Sequence, residues 1–237
     1  MTPLIINQEP KVHLKVHKQM KHLAIACALI ATLSACGDST LDKIVDKIEK
    51  NVNTNISYVN ALENSTTFYL KSSVYNTSVF AERFKIEELL AAQVSENHEH
   101  QWIKGASQSV FAIENAITNG SRVSYNTELN ENSDFWAIAW NEANDSVLSV
   151  FEREDNNKTG VYSVRIFATA KLAVKEYDSN DTLGITEPGV VTTAFEIDEC
   201  LDLIIGDNEI DLCQVGTLGN SYLVIADTTG QILVVQE

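Results

Sequence analysis

The sequence predicts an all-β protein built as two tandem antiparallel β-sandwich domains, set behind a removable leader and a short helical tether. Three observations carry that expectation. Beyond Asn55 apolar residues recur with a period of two. The pattern is cleanest over 121–129, where Val123, Tyr125, Thr127 and Leu129 share one face and Ser124, Asn126 and Glu128 the other. The runs are short and are separated by Asn, Asp, Gly and Ser clusters such as Asn119-Gly120 and Thr229-Gly230, which is turn chemistry. A strand–turn–strand pattern also occurs twice, at 135–140 with 147–150 and at 222–227 with 231–235.

Taken in chain order, the leader comes first. Lys21 precedes an apolar run over 23–32 that ends in Leu33-Ser34-Ala35-Cys36. A basic flank, a short apolar stretch and small residues at the cut mark a secretory signal. The run is far shorter than the roughly 20 residues a spanning helix needs. Its Leu-Ser-Ala-Cys ending resembles the lipobox of bacterial lipoproteins. That resemblance implies a diacylglyceryl thioether on Cys36, removal of residues 1–35, and a palmitate-type acyl group on the new terminus. Met20 with Lys21 and His22 opens a compact signal by itself, so translation is expected to start there. Gly37 follows the cysteine where an aspartate would retain members of that family in the inner membrane, so the resemblance implies delivery to the outer membrane. One acyl chain holds a protein only marginally, and a fully acylated cysteine carries enough to anchor alone.

Residues 36–54 read as anchor and tether. Leu41, Ile44, Val45 and Ile48 fall at i, i+3, i+4 and i+7, one stripe of a short helix, with Lys43, Asp46, Lys47 and Glu49 around it. The Asn-rich stretch 51–55 breaks the pattern. Strands are then predicted over 56–61, 67–71, 78–84, 109–114, 121–129, 135–140, 147–151, 161–168, 172–177, 190–197, 222–226 and 231–235. Ile86, Leu89 and Leu90 predict the one helix of the body, over 86–93. The charged, turn-rich stretch 152–160 separates a first sandwich over 55–152 from a second over 160–237, and the segment 162–168 matches 56–61 as an opening strand. The layout resembles a family of secreted and lipid-anchored bacterial proteins with tandem immunoglobulin-like domains. The opening Val59-Asn60-Ala61 and the closing strands at 135–140 and 222–227 carry that likeness. It implies immunoglobulin-like sandwiches and brings no catalytic residues with it.

Charge narrows the partners. Of 17 Lys and Arg four lie before Cys36, and of 33 Asp and Glu only Glu9 does, so the chain from Cys36 onwards carries a formal charge of −19. Such a field repels phosphate backbones, so nucleic acid is not an expected partner. Hydrophobic content of 44% is enough for a folded body. Once Cys27 leaves with the leader and Cys36 is acylated, Cys200 and Cys213 remain as a pair, and an oxidising compartment makes them a disulfide.

Catalytic signals are thin. From Cys36 onwards no nucleophile elbow, phosphate loop or zinc-protease motif occurs, and the only histidines are His98 and His100. On a strand His-x-His places both imidazoles on one face, a transition-metal geometry, although a catalytic zinc needs a third ligand such as Glu96. Acidic groups at 198–202 and 207–211, and the oxygen-rich loop Asp178-Ser179-Asn180-Asp181, leave calcium as an alternative. Trp136, Trp140 and Tyr125 form either a sugar platform or core. The expectation is a lipid-anchored, non-enzymatic binding or structural module of the cell envelope. No catalytic residue and no cofactor are assigned, and an envelope protein or polysaccharide is the partner. A metal-binding or glycan-active envelope enzyme is the alternative.

Overall fold

The computed structural model describes residues 51–103, 108–116, 121–214 and 216–237. The leader, Cys36, residues up to 50 of the tether expected over 36–54 and the Asn119-Gly120 turn lie outside the described residues, and 51–54, the rest of that expected tether, are strand. Everything described is β-structure apart from loops and one 3-10 turn at Glu82–Phe84, and most strand pairs are antiparallel. Among the described residues no helix is long and apolar enough to cross a membrane.

The first half contains β1 (Asn51–Asn60), β2 (Thr66–Ser72), β3 (Lys85–Leu89), β4 (Gln93–Val94), β5 (His98–Ile103), β6 (Ser109–Asn115), β7 (Ser121–Thr127), β8 (Phe135–Glu142) and β9 (Asp145–Glu152). One sheet runs β4–β1–β8–β9, with β5 continuing the β4 edge along β1, and a second runs β3–β2–β6–β7. The second half contains β10 (Tyr162–Ala168), β11 (Ala173–Glu176), β12 (Thr182–Ile185), β13 (Phe195–Ile197), β14 (Leu203–Ile205), β15 (Asn208–Ile210), β16 (Ser221–Asp227) and β17 (Gly230–Gln236). Its sheets run β13–β10–β16–β17 and β12–β11–β14–β15. Replacing β1, β2 and β3 by β10, β11 and β12, and so on, turns one half's wiring into the other's, with β4 and β5 together standing where β13 stands. Each half has one parallel pair, between its opening strand and the first strand of its closing hairpin: β1 with β8, and β10 with β16.

The sheets stack in four layers because the middle two are apolar on both faces. Phe135, Ala137 and Ala139 of β8 enter the core of the first half with Ile56, Phe68 and Phe111. Trp136, Ile138 and Trp140 point the other way and meet Phe167, Leu223 and Ile225 of the second half. Tyr222, Val224 and Ala226 of β16 turn towards Val164, Ile166, Leu203 and Ile205 in the second half's own core. Strands covered on both sides need near-continuous apolar runs, as Phe135-Trp136-Ala137-Ile138-Ala139-Trp140 supplies. Each buried Phe, Ile, Leu or Val among these side chains contributes about 1.5–3 kcal/mol. Residues Lys50–Glu237 accordingly form one compact unit.

Three local expectations fail for identifiable reasons. The helix over 86–93 is instead strand β3, a turn at Ala92 (φ 55°) and β4. Phe68 faces Glu87 and Tyr69 faces Lys85, so Ile86 is an extra residue in a β-bulge. The bulge shifts the phase, and Ile86 and Leu89, three apart, both reach the core, imitating a helical stripe. The strand over 78–84 is a loop and the 3-10 turn, with Val79 and Phe80 packed on Tyr69, Val110 and Ala112 at the outer face of the β2–β6 sheet. The Asn-rich stretch expected as a break begins β1, where hydrogen-bonded pairing with β5 overrides weak strand propensity.

Candidate functional site

β5 hangs on the edge of β1 and presents His98, His100 and Trp102 to the space between the two sheets of the first half, Trp102 reaching the core. Both imidazoles thus occupy one face, but each already has its own partner. His98 Nε2 lies 3.1 Å from Glu87 Oε2, and its ring meets Tyr58 edge-on at 5.6 Å. His100 Nε2 lies 3.0 Å from Ser109 Oγ, and burial pushes this imidazole down to about 4. Among the described residues no group of three or more His, Cys, Asp or Glu side chains is placed to hold a metal ion.

The acidic stretches build turns. In Asp178-Ser179-Asn180-Asp181, the β11–β12 connection, Ser179 Oγ donates to Glu176 Oε2 at 2.6 Å and accepts from the Asp181 N–H at 3.0 Å, and Asn180 takes a positive φ of 57°. Asp202 Oδ1 accepts the Asp178 N–H at 2.9 Å, and Asp211 Oδ1 accepts the Cys213 N–H at 2.8 Å. Cys200 and Cys213 are bonded, with Cα atoms 4.9 Å apart, and Cys200 packs against the core of the second half. A closed loop of this size stabilises by about 3 kcal/mol in the chain-entropy picture, and such a bond belongs to an oxidising, extracytoplasmic setting.

The aromatic platform is not at the surface. Trp136 and Trp140 are 2% and 4% exposed and fill the layer between the halves, while Tyr125 stands 44% exposed on the edge strand β7. The Trp140 indole N–H donates to Ser149 Oγ at 3.0 Å, and Gly189 sits so close that a Cβ there would come within 2.3 Å of its ring. The Trp136 indole N–H donates to Glu237 Oε1 at 3.0 Å. Glu237 in turn receives both arms of the buried Arg165, whose Nη1 also reaches Glu154 Oε1 at 3.0 Å. Arg153 lies over the Trp136 ring at 4.6 Å and donates to Asn97 Oδ1 at 2.9 Å. This ionic knot joins the halves.

The most polar of the open hollows lies on the first half, with smaller ones beside β12 and where β9 meets the loop at Gly189. Lys71, Val110 and Asn126 stand side by side across β2, β6 and β7 on the outer face of their sheet. The loop over 73–79 folds above them, leaving a groove of about 700 Å³ edged by Ser73, Tyr75, Asn76, Thr77 and Ser78. The loop is held by Lys71 Nζ, which donates to the carbonyls of Tyr75 at 2.8 Å and Thr77 at 2.5 Å. Arg83 Nη2 donates to Thr77 Oγ1 at 2.7 Å, with its guanidinium 4.7 Å from the Phe84 ring. Behind the same loop a smaller slot of about 290 Å³ runs in beside β5. The sequence reading missed both, because it took 78–84 for a strand; the run Asn76-Thr77-Ser78 next to Tyr75 was the available signal. No family model matches the chain, and no curated protein matches it at a significant level.

Proposed function

We propose that this protein is a lipid-anchored recognition module of the bacterial outer membrane that works without catalysis and binds an envelope polysaccharide. The lipobox-like Leu33-Ser34-Ala35-Cys36 supports the anchor, and the disulfide agrees with an extracytoplasmic body. The observation that carries the ligand class is the groove of about 700 Å³ on the outer face of the first half. Hydroxyls of Ser73, Thr77 and Ser78, the amides of Asn76 and Asn126 and the half-exposed Tyr75 ring match the hydroxyl-rich edges and apolar faces of sugars. An immunoglobulin-like ancestry for each half is supported by its two packed sheets around one core and strained by the parallel β1–β8 pair, which gives the opening strand an uncommon place.

Two measurements test the reading. Fatty-acid labelling should mark the wild-type chain and be lost in Cys36→Ser; label kept by the variant refutes the anchor. The processed protein should retain envelope polysaccharide fractions on a column, and Asn126→Leu with Ser78→Val should weaken retention about tenfold, the worth of one or two lost hydrogen bonds. Retention of no fraction, or equal retention by the double variant, overturns the ligand class.

A further inference from the structure

Seven asparagines stand in the pattern Asn-x-Ser/Thr with a residue other than proline between, from Asn55 to Asn180. In an exported protein that pattern is an acceptor for N-linked glycans, the carboxamide and the hydroxyl being read together. Bacterial transferases that act on folded chains also take an acidic side chain two places before the asparagine, a charged handle for a cationic acceptor groove. Three of the seven carry it: Glu142 before Asn144, Asp155 before Asn157 and Asp178 before Asn180.

The structure separates the three. Ser146, the hydroxyl partner of Asn144, is 8% exposed and lies 3.5 Å from Asn141 Oδ1. Asn157 is tied down: its Oδ1 accepts the Ser221 N–H at 2.7 Å, and Asp155 Oδ1 accepts the Asn157 N–H at 3.2 Å. Asn180 differs. Asp178, Ser179, Asn180, Asp181 and Thr182 are all exposed, on the connection from β11 into β12. The Asp178 carboxylate, the Asn180 carboxamide and the Thr182 hydroxyl have no hydrogen bond or ion pair to any described residue. β12 is also the end strand of its sheet, and Leu183 and Ile185 stand 36% and 57% exposed along it. A bulky hydrophilic chain at its start would shield an edge of the kind that invites unwanted pairing.

We propose that Asn180 carries an N-linked oligosaccharide, added after export by a transferase that reads Asp178 and Thr182. The carboxamide nitrogen attacks the anomeric carbon of an oligosaccharide held on a polyprenyl diphosphate. The C–N bond forms as the bond from that carbon to the diphosphate oxygen breaks. The polyprenyl diphosphate leaves with the electron pair, the nitrogen gives up one proton to solvent, and nothing is oxidised or reduced. The proposal rests on the extracytoplasmic setting supported by the leader and the disulfide, and is independent of what fills the outer groove.

Mass spectrometry of the protein, purified in detergent from the envelope of the cells that make it, reads the proposal. Cleavage after glutamate frees 177–196, because Pro188 protects the bond after Glu187, and Asn180 is the one asparagine in that peptide. The peptide should carry added mass in sugar increments, localised to Asn180 by electron-transfer fragmentation. Asn180→Gln and Thr182→Val should each remove it, and Asp178→Asn should lower occupancy about tenfold, the worth of one charge-assisted bond. Thr182→Val keeps the branched shape in β12, so it decides if Asn180→Gln misfolds. A peptide with no added sugar, a sugar on Ser179 or Thr182 instead, one that survives Thr182→Val, or full occupancy in Asp178→Asn overturns the proposal. Fatty-acid labelling of the same preparation shows whether the anchor reading falls with it.

Discussion

Replacing Glu237 by Gln is the sharpest perturbation of the layer between the halves. The Glu237 side chain is fully buried and Arg165 is 2% exposed, and they meet through two parallel N–H to oxygen contacts, one of them 2.8 Å long. Gln keeps the volume, so packing against Trp136 survives, but Arg165 loses its buried counter-charge and one amide N–H faces a guanidinium. Breaking a buried pair from one side costs about 3–5 kcal/mol. Glu154 still pairs with Arg165 Nη1 at 3.0 Å, and Arg165 Nη2 keeps the Glu152 carbonyl at 2.9 Å, which places the expected loss near the lower bound, about 3 kcal/mol. Glu154 is itself 54% exposed, so solvent weakens its compensation. At about 2–4 °C per kcal/mol for a protein of this size, Tm should fall by about 6–12 °C. Urea unfolding of the processed protein followed by tryptophan fluorescence measures it directly. Arg165→Met with Glu237→Leu should regain most of the loss, because the desolvated charges leave together. A loss under about 1 kcal/mol for Glu237→Gln, or a double variant no better than the single one, refutes the claim that this pair clamps the layers.

Two further outcomes are expected. Gly189→Ala forces a Cβ to within 2.3 Å of the Trp140 ring at a φ of 72°, so overpacking and left-handed strain together should remove about 2–4 kcal/mol, and a loss below about 0.5 kcal/mol in thermal unfolding would count against the close approach. His100 is held neutral by burial, its value lowered from 6.5 to about 4, so between those limits the unfolded chain binds the extra proton and the folded one does not. Stability should therefore fall by about 2–3 kcal/mol as pH drops from 6.5 towards 4, and His100→Asn, facing the same Ser109 hydroxyl, should flatten that part of the curve; superimposable pH profiles for the two proteins would dismiss it.

Much of the β-architecture was legible because the decisive strands announce themselves. The hairpins β8–β9 and β16–β17 and the opening strands β1 and β10 stand close to where apolar runs and turn residues placed them. What alternation could not reveal was double-sided burial. Trp136 and Trp140 fitted either a sugar platform or core, and only a second sheet on the far side explains why an unbroken apolar run is tolerated in β8. The bulge at Ile86 misled for a different reason, since one inserted residue converts a period of two into an apparent period of three. The acidic stretches carried little information because turns consume carboxylates as readily as ions do, as Asp202 and Asp211 illustrate. The indole N–H of Trp102, buried without an acceptor, was beyond reach, because sequence names donors and never their missing acceptors.

The parallel pairing of β1 with β8 and of β10 with β16 has a consequence for how the chain is made. Ile56 aligns with Phe135, and Ser163 with Ser221, so each opening strand waits for a partner synthesised almost a whole half later. Ordering the intervening loop must precede the reward of closing it, which slows folding in topologies of this kind. Until that moment β1 is paired along one edge only, by β4 and β5, and its other edge stays open. Each half therefore completes its central sheet only once its own closing hairpin has emerged.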